Sequence, residues 1–599
     1  MAFFHSTKKI RRIALVKNKT NNAFSCTKSI LFLSAITLLL YSCNNSQETI
    51  KFNHPVPKGD VKYGGVFRQN ETEYFRSLYP QNITEVVGHR IITQIYEGLV
   101  AFNPADLSLE PCIAKSWEIR DSATFFVFHL RNDVYFHDDP CFPNGGKGRK
   151  VTAHDFAFCF QQLCRPNASN QGFWIFQDIV KGSSECYNDS SANGKNHVLE
   201  GVNVIDDTTL TIQLNKPFAG FLFRLALPFT AVFPKEAFDY YGKDMREHAV
   251  GTGPFRIKKV IPDVGVFLVR NQRYWGKDSL GNQLPYLDGI RFAFIKEEKV
   301  EMLEFQKGNI DLKYRLPVDM VTEIIDSADQ LQEGYKKFQL QNVRELSSQY
   351  YGFLTTDPVY KNVHVRRAFN YAIDRDKIVN YTVKGEGTAN TYGITPIGVP
   401  GFDQSKLKGY SFNPQLAQKE MELAGYPKGK GFPKLTLHIN SGGGRNEKVA
   451  EAITTMLHDN LGIEVDIAQS LWAQHTENLE SGKFQFWRLG WVADYPDAEN
   501  FLNLFYGKHV PKNPTDKAYI NSFRYQNPAY DKLFEDALAT ADVAKRNEKY
   551  VALDQMIIDD APVLFIYFNM NRRLLQPYVR NMPANSMEYR SYREVWLNK

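Results

Sequence analysis

Two oppositely charged side chains flank a tryptophan in the stretch Arg488-Leu489-Gly490-Trp491-Val492-Ala493-Asp494-Tyr495-Pro496-Asp497. A carboxylate holds an ammonium through charge-assisted hydrogen bonds, and a guanidinium grips a carboxylate with two parallel ones. Asp494 and Arg488 therefore suit the two ends of a small zwitterion, with Trp491 as apolar wall. The plainer reading, a structural tryptophan beside a turn-forming aspartate and a strand-edge arginine, is the one that residue chemistry alone favours. Phe484-Gln485-Phe486-Trp487 alternates and predicts a strand leading in. Gly490 permits close approach of the backbone, and Tyr495-Pro496-Asp497 predicts a turn.

Hydrolytic chemistry finds little support. The chain contains no HExxH and no GxSxG. Asp494 and Asp497, three residues apart through a proline turn, make a poor glycosidase pair. His137, Asp138, Asp139, His154 and Asp155 follow no metal-ligand spacing and read as a strand-end turn and a helix start. The glycines at 442–444 are not followed by the Gly-Lys-Ser/Thr of a phosphate loop. No metal or other cofactor is expected.

At 599 residues the chain exceeds a single core, and several domains are expected. Its formal charge of +6 comes from the leader, where Lys8, Lys9, Arg11, Arg12, Lys17, Lys19 and Lys28 precede Cys43 without an acid. Without these seven charges the rest is close to neutral, which removes the electrostatic case for a nucleic-acid partner. An apolar run from Ile30 to Leu40 has signal-peptide length and is too short for a stable membrane span. Leu40-Tyr41-Ser42-Cys43 looks like a bacterial lipobox with an unusual Tyr, and predicts lipid on Cys43. The long basic region also suggests that translation starts further along. The polar segment after Cys43 reads as a tether. Five further cysteines, Cys112, Cys141, Cys159, Cys164 and Cys186, form no CxxC, and their pairing is left open.

Along the chain, Thr152 predicts an N-cap, Asn413-Pro414 a capped helix ended by Gly425, and Val449, Ile453, Met456 and Leu457 one helix face. Leu210, Ile212 and Leu214 share a strand face, and Ala561 to Tyr567 reads as a buried strand. Gly98 is expected to stop a helix running through Gln94-Ile95-Tyr96-Glu97.

Several short motifs keep a common order: Gly64-Gly65-Val66-Phe67-Arg68, Gln94 to Val100, Val250-Gly251-Thr252-Gly253-Pro254-Phe255, Leu284 to Asp288, Phe305 to Leu312, and Gly490 to Tyr495 with Asn500-Phe501-Leu502. Together they resemble the solute-binding lipoproteins of ABC importers, the oligopeptide, dipeptide and nickel class known as family 5. The resemblance implies an α/β fold of two lobes that close over a ligand, with an extra domain on the first lobe. It implies a first domain at 61–100, 230–345 and 565–599, a second at 101–229 and a third at 346–564, after a leader at 1–42 and a tether at 43–60. The chain crosses between lobes near Tyr350 and Phe565.

By this resemblance Asp494 binds the α-amino group of a peptide, Arg488 meets its carboxylate, and Trp491, Ala493, Tyr350 and Tyr351 complete the site. The implied protein is no enzyme. It is a monomer, exported and held to a bacterial membrane by lipid, and it passes peptides to a permease and its ATPase. Nickel chelates, haem and sugars stay open as ligands within the family, and an exported lipidated hydrolase is the competitor from another class. Some peptide binders carry a cysteine after the tryptophan; here Val492 stands there, and near Tyr350 there is Ser347 rather than a cysteine partner, so that staple is missing.

Overall fold

The alternating strand Leu435–Asn440, the strand Phe486–Val492, and the long strands Gln339–Phe353, buried from Glu345 onward, and Val563–Leu575, buried at all but one residue, assemble one mixed sheet of eleven strands. The structure is a computed structural model that describes residues 52–599 apart from 168, 190–196, 219, 327, 443, 515 and 541. The leader, Cys43 and most of the tether lie outside the described residues. Pro55–Lys599 form one compact unit.

The sheet runs in the order Val465–Ser470, Leu435–Asn440, Phe486–Val492, Gln339–Phe353, Val563–Leu575, Leu312–Lys313, Val66–Asn70, Gly289–Ala293, Gly265–Arg270 and Phe255–Ile261. Gly387–Ala389 pairs alongside Val563–Leu575. The two longest strands, Gln339–Phe353 and Val563–Leu575, pair antiparallel at its centre and join its two halves. A separate antiparallel sheet of four strands holds Ala114–Arg120, Phe125–Leu130, Thr209–Gln213 and Val202–Asp206. This is the mixed α/β architecture that the resemblance implied.

Local signals read from the sequence reappear as structure. Thr152 and Asp155 form a reciprocal capping box at the start of Ala153–Leu163. Asn413 Oδ1 accepts from the Leu416 N–H at 3.0 Å, Pro414 opens that helix, and Gly425 follows its end with φ +91°. Helix Arg445–Leu461 buries Val449, Ala450, Ile453, Leu457 and Leu461 against the outer strands. Leu210, Ile212 and Leu214 are all buried.

One expectation about glycine needs correction and another holds. The helix before Gly98 spans Val86–Ile92 and ends well short of it. Gly98 is needed instead for space, because a Cβ there would lie 3.1 Å from the Leu225 carbonyl oxygen. At Gly490 the expected close approach is present: within a strand that runs on to Val492, the absent side chain makes room for the amide of Gln349 on the neighbouring strand. The five described cysteines are all unpaired. His137 Nε2 meets the Gly253 carbonyl at 2.9 Å, whereas Asp155 takes Arg149 at 2.7 Å, so these residues serve separate local roles.

Candidate functional site

Asp494 lies two residues beyond the strand Phe486–Val492, where the chain turns towards the short helix Glu499–Leu502. Asn500 from that helix fixes the turn. Its Oδ1 accepts from Trp491 Nε1 at 2.9 Å and from the Asp494 N–H at 3.0 Å, and its Nδ2 donates to Asp494 Oδ2 at 3.2 Å. One amide thus orients the carboxylate and the indole together. Burial pushes the Asp494 carboxyl up to about 6, against the hydrogen bond from Asn500, which favours its charged form. Asp494 is a half-buried carboxylate with no cation in hydrogen-bond contact among the described residues. Ala493 is buried, and its N–H donates to the Leu346 carbonyl at 2.8 Å.

Strand register separates the other predicted residues. Tyr351 lies opposite Arg488 and Tyr350 opposite Leu489. Because side chains alternate along a strand, Arg488 and Tyr351 occupy one face while Tyr350 and Trp491 occupy the other. Arg488 donates to Asn440 Oδ1 at 3.0 Å and to Gln349 Oε1, both neutral amide oxygens. Burial lowers its pKa, with Tyr567 and Tyr351 acting the other way. Tyr350 packs against Phe523 with ring centroids 5.7 Å apart, and Tyr351 against Phe486 at 6.1 Å. The structure therefore groups Asp494, Trp491 and Ala493 closely and sets Arg488 with Tyr351 on the reverse face. Ser347 and Val492, the positions of the missing cysteine staple, are direct cross-strand partners.

Asp494 is shared by two cavities. One, about 710 Å³, is walled by Thr84, Glu85, Trp472, Glu480, Trp491 and Tyr519. The other, about 560 Å³, is walled by His89, Arg90, Leu227, Glu588, Tyr589 and Arg590. Segments some 400 residues apart meet here: Arg76 Nη1 lies 3.1 Å from Thr476 Oγ1 and 3.3 Å from Glu480 Oε1. Tyr519 OH reaches the Thr84 carbonyl at 3.4 Å. Deeper in the interface Arg224 and Glu499 form a buried ion pair at 2.6 Å. A further cavity of about 700 Å³ beside Trp174, Phe218 and Phe534 contains none of the predicted residues.

Sequence reasoning quoted Asn500 without giving it a role, and missed Glu85, Arg76, Glu480 and Tyr519. Asn500 carries a usable signal, because an amide shortly after a turn can bond back to it. The other four carry none, since they become neighbours only across the folded chain.

A cleft whose walls come from distant segments, with a half-buried carboxylate between two chambers, defines a protein that encloses a small solute. Solved structures share this fold. A periplasmic binding protein DppA from Helicobacter pylori, in complex with the peptide STSA, superposes with a TM-score of 0.78 at 23% identity, covering 90% of this chain and 99% of that one. The murein tripeptide binding protein MppA of Escherichia coli gives 0.76 at 24% identity, covering 90% and 98%. The family model for bacterial extracellular solute-binding proteins, family 5, matches residues 108–513, and the chain belongs to that family. Similar curated relatives are the periplasmic oligopeptide-binding protein OppA of Salmonella typhimurium, 28% identical over 86% of this chain and 88% of the relative, and heme-binding protein A of Haemophilus influenzae, 25% identical over 94% and 98%.

Proposed function

We propose that this protein captures peptides outside the cytoplasm and delivers them to the permease of an ABC importer, acting as a binding protein and not as an enzyme. The observation that carries the reading is the Asp494 carboxylate, half-buried, aligned by Asn500 and raised in pKa by burial. A peptide's α-ammonium supplies the missing counter-charge through a short charge-assisted hydrogen bond. Trp491 forms the apolar wall beside it, and Ala493 holds the turn against the Leu346 carbonyl. Arg488, whose partners are neutral amides, takes the carboxylate of ligands that reach it. The peptide backbone pairs with strand edges, which gives affinity with little demand on sequence.

The chain divides into a discontinuous first domain at 61–100, 230–345 and 565–599, a second at 101–229 and a third at 346–564, with Gln339–Phe353 and Val563–Leu575 as the crossings. It acts as a monomer, tethered to a bacterial membrane by lipid on Cys43. Cys43→Ala leaves the precursor unprocessed and unlabelled by palmitate; continued labelling would refute the anchor.

Mass spectrometry of the ligand that co-purifies with the protein tests the substrate class, and peptides are the expected finding. Calorimetry then compares one peptide with its N-acetylated form. Acetylation removes the ammonium and should abolish most of the affinity; equal binding of both forms would overturn the assignment of Asp494.

A further inference from the structure

We propose that the larger chamber beside Asp494 selects a cationic side chain, lysine or arginine, at one of the first two residues of the peptide. This rests on the reading of Asp494 as the anchor for the amino terminus. The argument is one of charge balance within the cleft.

Three carboxylates line this chamber: Glu85, Glu480 and Asp494. Asp494 is accounted for by the ligand's own ammonium. Against the remaining two stands one guanidinium. Arg76 Nη1 lies 3.3 Å from Glu480 Oε1, and the backbone N–H of Arg76 donates to Glu85 Oε1 at 2.8 Å. Lys517 is engaged by Glu477 at 2.6 Å. His89, on the same wall, is kept neutral, since burial lowers its pKa. Burial also raises the pKa of Glu480 in spite of Arg76 and Lys517, so a further cation in the chamber would favour its charged form. One negative charge is left over after Arg76 is counted.

The second chamber differs. Arg90 and Arg590 there pair with Glu71 and Glu588, and the charges balance without Asp494. Only the larger chamber has a sign. Its other walls, Trp472, Leu479, Trp491 and Tyr519, are apolar or aromatic. Such walls cover the aliphatic stem of a lysine or arginine and offer ring faces to the charged head. An acidic side chain would meet uncompensated carboxylates and be rejected.

The position in the peptide follows from chain geometry. An extended peptide advances about 3.3 Å per residue. With the amino group on Asp494, the first two side chains hang beside this chamber, and the fourth lies roughly 10 Å further along.

Calorimetry on the full chain tests this with tetra-alanine carrying lysine, norleucine or glutamate at position one, two or four. Norleucine matches the lysine stem without its charge. At position one or two, lysine should bind roughly tenfold or more tightly than norleucine, as for close charge pairs elsewhere, and glutamate more weakly than either. At position four the three should be alike. Glu480→Gln should narrow the lysine-to-norleucine ratio, a readout that a change in closure affecting all the peptides alike would not move. If that variant does not fold, the panel on the wild-type chain decides alone. Equal binding of lysine and norleucine at both early positions, with tetra-alanine bound and its acetylated form rejected, would overturn the charge selection and leave the Asp494 anchor standing. Failure of every peptide to bind would overturn both.

Discussion

At Asp494 one residue's chemistry can be followed through to an observable. Its carboxyl is pushed up to about 6 in the unliganded cleft, chiefly by burial. The α-amino group of a peptide titrates near 8. The pair needs the carboxylate charged and the amine protonated, so affinity should peak near pH 7. It should fall on the acid side as Asp494 protonates and on the alkaline side as the amine loses its proton. Binding near pH 6 should also release a proton, seen as a dependence of the calorimetric heat on buffer ionisation. The stability sign is opposite to the usual one for carboxylates. Asp494, Asp497 and Asp554 are each raised to about 6, so the folded form holds more protons than the unfolded one between about 4 and 6. These groups therefore subtract stability as pH rises through that window. Asp494→Asn removes the charge and keeps the shape, and should cost on the order of 2–5 kcal/mol of peptide affinity. N-acetylation should then matter far less to the variant than to the wild type, because both changes remove the same interaction. An equal loss in both proteins would show that Asp494 does not hold the amine.

The strand Phe486–Val492 is the element that sets the site, and its register depends on small residues next to it. Gly352, directly opposite Trp487, has no room for a side chain: a Cβ would lie 2.6 Å from Trp487 Cε2 and 2.8 Å from Phe523 Cε1. Gly352→Ala should cost about 1–3 kcal/mol, as overpacking does, and lower the urea midpoint. An unchanged midpoint would mean that the strand pair shifts freely. Gly490 plays the same part towards Gln349, which in turn holds Arg488. Here the sequence was legible only in part. The alternation before Arg488 pointed to a strand and Gly490 to a close approach, but neither set where the strand ends. The neighbouring strand supplies the pairing that carries it on to Val492, and this extension puts Arg488 and Trp491 on opposite faces.

Over the whole molecule, contacts between distant segments span the mouth of the cleft. Arg76 reaches Thr476 and Glu480, and Tyr519 reaches Thr84. Behind them lie the buried Arg224–Glu499 pair and the stacked rings of Phe223 and Tyr495. A cleft walled by distant segments is expected to open without ligand and to close when a ligand adds its own contacts. Small-angle scattering should record a smaller radius of gyration at saturating peptide than without it. An unchanged radius would count against a closing cleft.

The sequence by itself determined the helix starts at Thr152 and Asn413 and the buried face of Arg445–Leu461, and it singled out Asp494 as the candidate anchor. Each rests on residues within a few positions of one another, where capping, periodicity and turn chemistry act locally. Tertiary structure decided which face each residue of the strand presents, and it brought Asn500 onto both Asp494 and Trp491. It also set the charge of the chamber, since Glu85 and Glu480 become neighbours only when the chain has closed on itself around Arg76. Local patterns act along the backbone, whereas the electrostatics of a cleft sum over whatever side chains the fold carries into it.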